Sequence, residues 1–202
     1  MRRFSVAALL FSSLFFGVGC APRPAPAYPR ALPSVDGGWR TLRAEHHVSV
    51  DARGEKGHEQ HALRGLIAVE RPDRFRLRAL GPGGITLFDL LYLHGEVRVI
   101  QSLRDPTRGI LGKIIESMAG DLAAAFALAP APIGRSTRIE GSAVIIEEPG
   151  RTVRLEDFRA FAGTSVPLRI TVENRALDYR VTVSASDVTV DEPLDPALFK
   201  AP

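Results

Sequence analysis

Four histidines close together in the chain, His46, His47, His58 and His61, are the first place to look for chemistry, because imidazole is a common zinc ligand. On an extended backbone successive side chains alternate between faces, so His46 and His47 point apart, and so do His58 and His61. They read as solvated histidines on a hairpin around Arg53-Gly54-Glu55-Lys56-Gly57, with no metal site. Gly81-Pro82-Gly83-Gly84 is glycine-rich but lacks the spacing and the following Lys-Ser/Thr of a phosphate loop. Ser165 and Ser186 stand in no nucleophile-elbow context, and Asp105, followed by Pro106, suits a helix cap better than an acid. No catalytic residue and no cofactor are assigned, and the expectation is a protein that is not an enzyme.

Cys20 is the only cysteine. Arg2 and Arg3 precede an uncharged apolar run from Phe4 to Val18, too short to span a bilayer, which takes about 20 residues, and suited to a signal-peptide core. The run ends Gly17-Val18-Gly19-Cys20, and small residues before a lone cysteine resemble the lipobox of bacterial lipoproteins. That resemblance implies cleavage after residue 19 and acylation of Cys20. It departs from the usual pattern at Gly17, where Leu is common. An ordinary cleaved signal and a buried free thiol are the alternatives. In such lipoproteins an Asp after the cysteine retains the protein at the inner membrane. Ala21 stands there instead, which implies an outer-membrane protein facing the periplasm, bound to membrane lipid through Cys20.

Residues 20–36 carry the cysteine and a Pro-rich stretch, APRPAPAYPRALPSVD, with no hydrophobic period, expected to form a semi-rigid tether. The formal charge of +3 includes Arg2 and Arg3, so the chain without residues 1–19 is near +1. No Lys/Arg cluster is interleaved with aromatics, and nucleic acid is not an expected partner. Residues 37–202 make one domain.

Strict alternation from Pro72 to Val99, broken by the Gly-Pro-Gly-Gly and His94-Gly95 turns, predicts an antiparallel meander. Trp39–Asp51, opening with a short helix, and His58–Glu70 supply the strands before it. Asp105-Pro106 starts a helix with an apolar stripe of Leu111, Ile114, Ile115, Met118 and Leu122. Gly120-Asp121 is expected to end it and cap a second helix, 122–129. Strands follow at 135–140, 143–148, 152–157, 167–173, 177–186 and 188–190. The fold class is α+β: a single curved antiparallel sheet, an incomplete β-barrel, covered by a short helical lid.

With the turn at Gly81–Gly84, Leu77 is expected opposite Phe88 and Phe75 opposite Leu90, with Tyr92 beside Val97. One face is then Phe75, Leu77, Phe88, Leu90, Tyr92, Val97 and Val99. The other is a solvated exterior of Arg74, Arg76, Arg78, Asp89 and Arg98, with Arg76 opposite Asp89. The later hairpin sets Ile170 and Val172 against Tyr179 and Leu177, and places Arg169 unfavourably opposite Arg180. A sheet wrapped over short helices leaves either a filled core or a greasy cavity.

The order of signal, lipobox, tether, five-stranded meander, helical insert and further strands resembles the LolA/LolB-like lipoprotein carriers and receptors. Arg74-Phe75-Arg76-Leu77 with Gly81-Pro82-Gly83-Gly84 is similar to the receptor's strand and turn, and Asp195-Pro196-Ala197-Leu198-Phe199-Lys200 to the carriers' closing segment. The resemblance implies a hydrophobic half-barrel cavity for acyl chains of lipids or lipoproteins, a role in lipoprotein localisation, and a periplasmic carrier protein as a partner. It places the lining at Phe75, Leu77, Phe88, Leu90, Tyr92 and Ile170, the lid at Ile114, Ile115 and Met118, and a membrane-facing turn at Pro82, Gly83 and Ile85. The receptor has an apolar residue at the tip of that turn; here the tip is Gly83. The alternative is a structural outer-membrane lipoprotein that docks a partner protein through a sheet edge or the arginine face.

Overall fold

The computed structural model describes residues 27–34, 38–54, 57–102, 109–126 and 134–200. Alternating sequence becomes ten strands: Thr41–Gly54 (β1), Gly57–Glu70 (β2), Arg74–Leu80 (β3), Thr86–Leu93 (β4), Glu96–Ser102 (β5), Ser136–Glu140 (β6), Ala143–Glu148 (β7), Arg151–Phe161 (β8), Thr164–Asn174 (β9) and Tyr179–Val190 (β10). The α-helix among the described residues is Gly109–Ala125 (α1). All ten strands form one sheet in the order β5-β4-β3-β2-β1-β10-β9-β8-β7-β6. Two meanders are thus joined by the antiparallel pairing of β1 with β10. The chain is α+β, an open curved sheet over a helix.

This order dictates where α1 goes. It connects β5 to β6, the two opposite edges of the sheet. Laid flat, ten strands would separate those edges by about 43 Å, whereas a helix of 17 residues is about 26 Å long. Curling the sheet shortens the crossing and lays the helix on the concave face. There Leu42, Val48, Ile67, Phe75, Leu77, Leu90, Ile170 and Val183 form one buried cluster with Ile114, Met118, Leu122 and Phe126. Each such side chain contributes about 1.5–3 kcal/mol on burial.

The faces follow the sequence alternation, but the registers differ from expectation. Leu77 pairs with Leu90, Phe75 with Tyr92 and Ala79 with Phe88, two residues along from the expected partners. A shift of two preserves every side chain's face, so alternation alone cannot detect it. Tyr92 pairs with Val97 and Leu90 with Val99 as expected. In the later hairpin Ile170 pairs with Val183 and Val172 with Val181, a displacement of four. This removes the clash of Arg169 with Arg180: Arg180 sits opposite Glu173, with Nη2 2.6 Å from its Oε1. β8 and β9 also run on to a turn at Ala162-Gly163, beyond the expected strand ends. The two strands expected around Asp187 are one, β10. Asp187, at φ +47°, sits where the pairing with β1 slips, and the buried parity changes there from Val181 and Val183 to Val188.

Three further expectations are corrected. Residues 38–40 form no helix; Trp39 is buried beneath the Arg71 guanidinium, 3.8 Å from its ring centroid. The Pro-rich stretch is docked from Tyr28 to Leu32: Ala31 N donates to Phe158 O (2.9 Å), Ala160 N to Pro29 O (2.9 Å), and Ser165 Oγ to Leu32 O (2.7 Å). The arginine face is not simply solvated. The segment from Pro193 to Lys200 packs over it, burying Leu91 with Ala68 and Phe199. Beneath that segment Arg76 grips Asp89 through Nε (2.8 Å) and Nη2 (2.7 Å) and donates to Leu198 O (2.7 Å). The hydrogen bonds to Asp89 hold the Arg76 guanidinium above its ordinary pKa.

The helix also differs. The expected start at Asp105-Pro106 lies outside the described residues, and so do the last three residues, 127–129, of the expected second helix. α1 runs unbroken through Gly120-Asp121. Within a helix Gly costs about 1 kcal/mol relative to Ala, and a Cβ at Gly120 would meet nothing within 4 Å. Gly120→Ala is expected to raise unfolding free energy by about 0.5–1 kcal/mol, read as a higher urea midpoint at unchanged slope.

Candidate functional site

The concave face under α1 brings together the residues expected as wall and lid. Phe75, Leu77 and Leu90 are fully buried, Phe88, Tyr92 and Ile170 nearly so. Ile114 and Met118 of α1 are buried against them, and Ile115 is half-buried. Phe126, just past the helix, lies 5.7 Å from Phe75 and edge-on to Trp39 at 6.3 Å. The gap left inside, bounded by Leu42, Ile67, Phe126, Leu168, Ile170 and Val183, measures about 10 Å³. That is roughly the space of one water, against about 300–1,000 Å³ for a small-molecule site. Among the described residues α1 covers this wall and leaves no room there for an acyl chain.

What holds α1 there, besides apolar contact, is a buried polar cluster. Asp121 is almost wholly buried. It accepts from Arg151 Nη1 (2.5 Å), from Asn174 Nδ2 (2.9 Å) and from the Tyr179 hydroxyl. Ser117, one helical turn earlier, lies 3.2 Å from both Asn174 Nδ2 and the Tyr179 oxygen. Arg151 is also paired with Glu148. Burial, followed by the Asp121 charge, holds the Tyr179 phenol above its ordinary pKa. Asp121 thus latches the helix to β8, β9 and β10. Sequence reasoning read it as a cap; its place on the polar edge of the Ile114-Met118-Leu122 stripe was the available signal.

The histidines do not converge. His47 is exposed, while His58 Nε2 meets Asp51 Oδ1 at 2.6 Å. Among the described residues no three His, Cys, Asp or Glu side chains gather to hold a metal. His46 is not solvated, as expected, but buried at 1% exposure on the concave side of β1, in the row of Ala44 and Val48. Neither of its ring nitrogens has a hydrogen-bond partner among the described residues.

The expected membrane-facing turn is a short 3₁₀ turn, Pro82–Gly84, closed by Gly81 N to Ile85 O at 2.8 Å. Gly83 and Gly84 take φ of +71° and +78°, which L side chains rarely adopt. Ile85 beside them is 58% exposed. By the strand registers this turn lies at the end of the sheet opposite the β8–β9 turn where Tyr28 to Leu32 docks. On the outer face a groove of about 510 Å³ runs beside the C-terminal segment, lined by Arg43, Glu45, Arg78, Asp187, Glu192 and Asp195 among others. Leu66, Ala68, Leu194 and Leu198 line it as well, so it is an amphipathic groove of mixed charge. Cys20 lies outside the described residues.

No family model and no curated protein matches this chain. Its fold is similar to solved structures at low identity. One is a LolA superfamily protein from Nitrosomonas europaea (13% identity, TM-score 0.42). Another is a domain from Vibrio parahaemolyticus named for outer membrane lipoprotein sorting (10%, 0.41), and a third a DUF1329 family protein from Desulfovibrio piger (11%, 0.32). Each match covers 80% of this chain and 90% of the other.

Burial, followed by the neighbouring His47 charge, lowers the His46 pKa to about 4 from its ordinary 6.5. The unfolded chain then binds the extra proton between those values. This contribution is fully present above about pH 6.5, is lost as pH falls, and levels off below about pH 4, for a total of about 3 kcal/mol. His46→Leu is expected to lose less stability than the parent over that window, measured by urea unfolding at pH 7, 5.5 and 4.

Proposed function

We propose that this protein is a lipid-anchored component of the outer membrane, facing the periplasm, whose half-barrel takes up an acyl chain of a lipid or lipoprotein when α1 moves off the concave face. The observation that carries the reading is the apolar wall of Phe75, Leu77, Leu90 and Ile170, covered among the described residues by a single helix that Asp121 latches. The apolar terms alone nearly balance, and parting Asp121 from its partners adds to the cost of opening. Exposing Ile114, Met118, Leu122 and Phe126 costs about 6–12 kcal/mol, and burying a dozen methylenes at about 0.8 kcal/mol each offsets about 10. The lipobox-like run ending at Cys20 supplies the anchor, and a periplasmic carrier is the partner that would deliver acylated cargo. Ile85 touches the bilayer in this scheme only if the barrel lies on its side, because the docked tether leaves from the opposite end.

Docking of a partner on the arginine face has less support. Arg74 pairs with Glu70, Arg76 and Arg78 share Asp89, and Arg98 pairs with Glu96.

A soluble form lacking residues 1–20 tests the reading with a fluorescent fatty acid. Saturable one-to-one binding is expected. Asp121→Asn should lower the thermal midpoint by several degrees and speed uptake several-fold, because the latch opposes opening. Absence of saturable binding in both proteins would overturn the proposal.

A further inference from the structure

Most buried polar side chains on the concave face, those around Asp121, are bonded to one another; His46 is not. His46 is 1% exposed, and neither Nδ1 nor Nε2 has a partner among the described residues. A neutral imidazole carries one donor and one acceptor, and each left unpaired in an apolar interior costs about 1–3 kcal/mol. A leucine there would fill similar volume without that cost. The neighbours give the ring room: its cross-strand partners are Gly65 on β2 and Ala185 on β10, both small, and Ala185 also borders the residual internal gap. A side chain at Gly65 is not tolerated, since its Cβ would fall 1.8 Å from Arg78 O. The row therefore holds one large polar group flanked by two minimal ones. In the closed state nothing among the described residues uses that polarity.

We propose that His46 is the polar contact for the ligand of the half-barrel, donating its ring N–H to the carbonyl or carboxyl oxygen at the head of an acyl chain whose methylenes replace α1 against the wall. The inference rests on the acyl-binding reading and adds to it a position and a chemistry. The chain's oxygen end lies at the β2–β1–β10 row, and its tail runs along the wall of β3 and β4. Burial keeps the empty-state imidazole neutral, so it carries a donor without the cost of a buried charge. An ester carbonyl, as in a glycerolipid or an acylated protein, would leave it neutral. A free carboxylate would draw a proton onto it.

The experiment uses the form lacking residues 1–20, competing laurate, methyl laurate and dodecane against a fluorescent fatty acid at pH 7, for the parent and His46→Leu. The parent should bind both oxygen-bearing ligands about tenfold more tightly than dodecane, the worth of one buried hydrogen bond of about 1.4 kcal/mol. His46→Leu should bring all three within about twofold. In the parent, imidazole ¹⁵N NMR should show the His46 resonances moving on addition of either oxygen-bearing ligand, with proton uptake for laurate only. This needs no variant to fold. Equal preference for the three ligands in the parent, or unmoved His46 resonances at saturation, would overturn the inference while leaving acyl binding intact. Failure of every ligand to compete would overturn both.

Discussion

The structure depends on one topological constraint: the segment that follows β5 must reach β6, and those strands are the two edges of a ten-stranded sheet. A chain cannot cross a sheet's apolar face with exposed backbone amides, but it can cross as a helix whose amides are bonded internally. α1 is that crossing. Its apolar stripe satisfies the concave face, and the curl of the sheet shortens its path. A ligand on the concave wall would therefore take the place that α1 now occupies. The question of filled core or open cavity becomes a question about how firmly one helix is held.

Buried polar groups divide by how they answer the need for partners. Arg76 and Asp89 form a two-pronged pair capped by a carbonyl of the closing segment, which fixes Phe199 over Leu91. Asp121 receives a guanidinium, an amide and a phenol, which fixes α1. Both clusters are nearly complete, so breaking either would strand a charge in a medium of low polarity. His46 is the exception. It sits among the same apolar side chains with nothing to bond among the described residues, and it marks a part of the interior whose polarity they leave unused.

Much of this was legible beforehand, and the failures share a cause. Alternation placed Phe75, Leu77, Leu90 and Tyr92 on one face correctly, because a strand's period of two survives any even shift in register. The same property hid the displacement by two in the first hairpin, where the register shifts between Ala79 and Leu80, and by four in the later one, where the chain turns between Asn174 and Tyr179. Gly120-Asp121 carries the residue types of a helix stop, yet tertiary contacts to Asp121 outweigh the propensity cost of one glycine. Tyr28 to Leu32 lacks any period because it docks through backbone groups, the Tyr28 ring against Phe161 and the hydroxyls of Tyr28 and Ser165, which leave no repeating pattern. His46 shares the parity of Val48, but four histidines in one region read as solvated rather than buried.

The sequence by itself determined the strands, their faces, the apolar stripe of the helix and the lone Cys20, because these are local patterns enforced by backbone period and by residue chemistry. Only the tertiary structure decided the registers, the unbroken helix, the roles of Asp121 and Asp89, and the isolation of His46. Each of these turns on which distant group arrives within hydrogen-bonding distance, and in a sheet whose first and last strands pair, that is settled by closure of the whole chain.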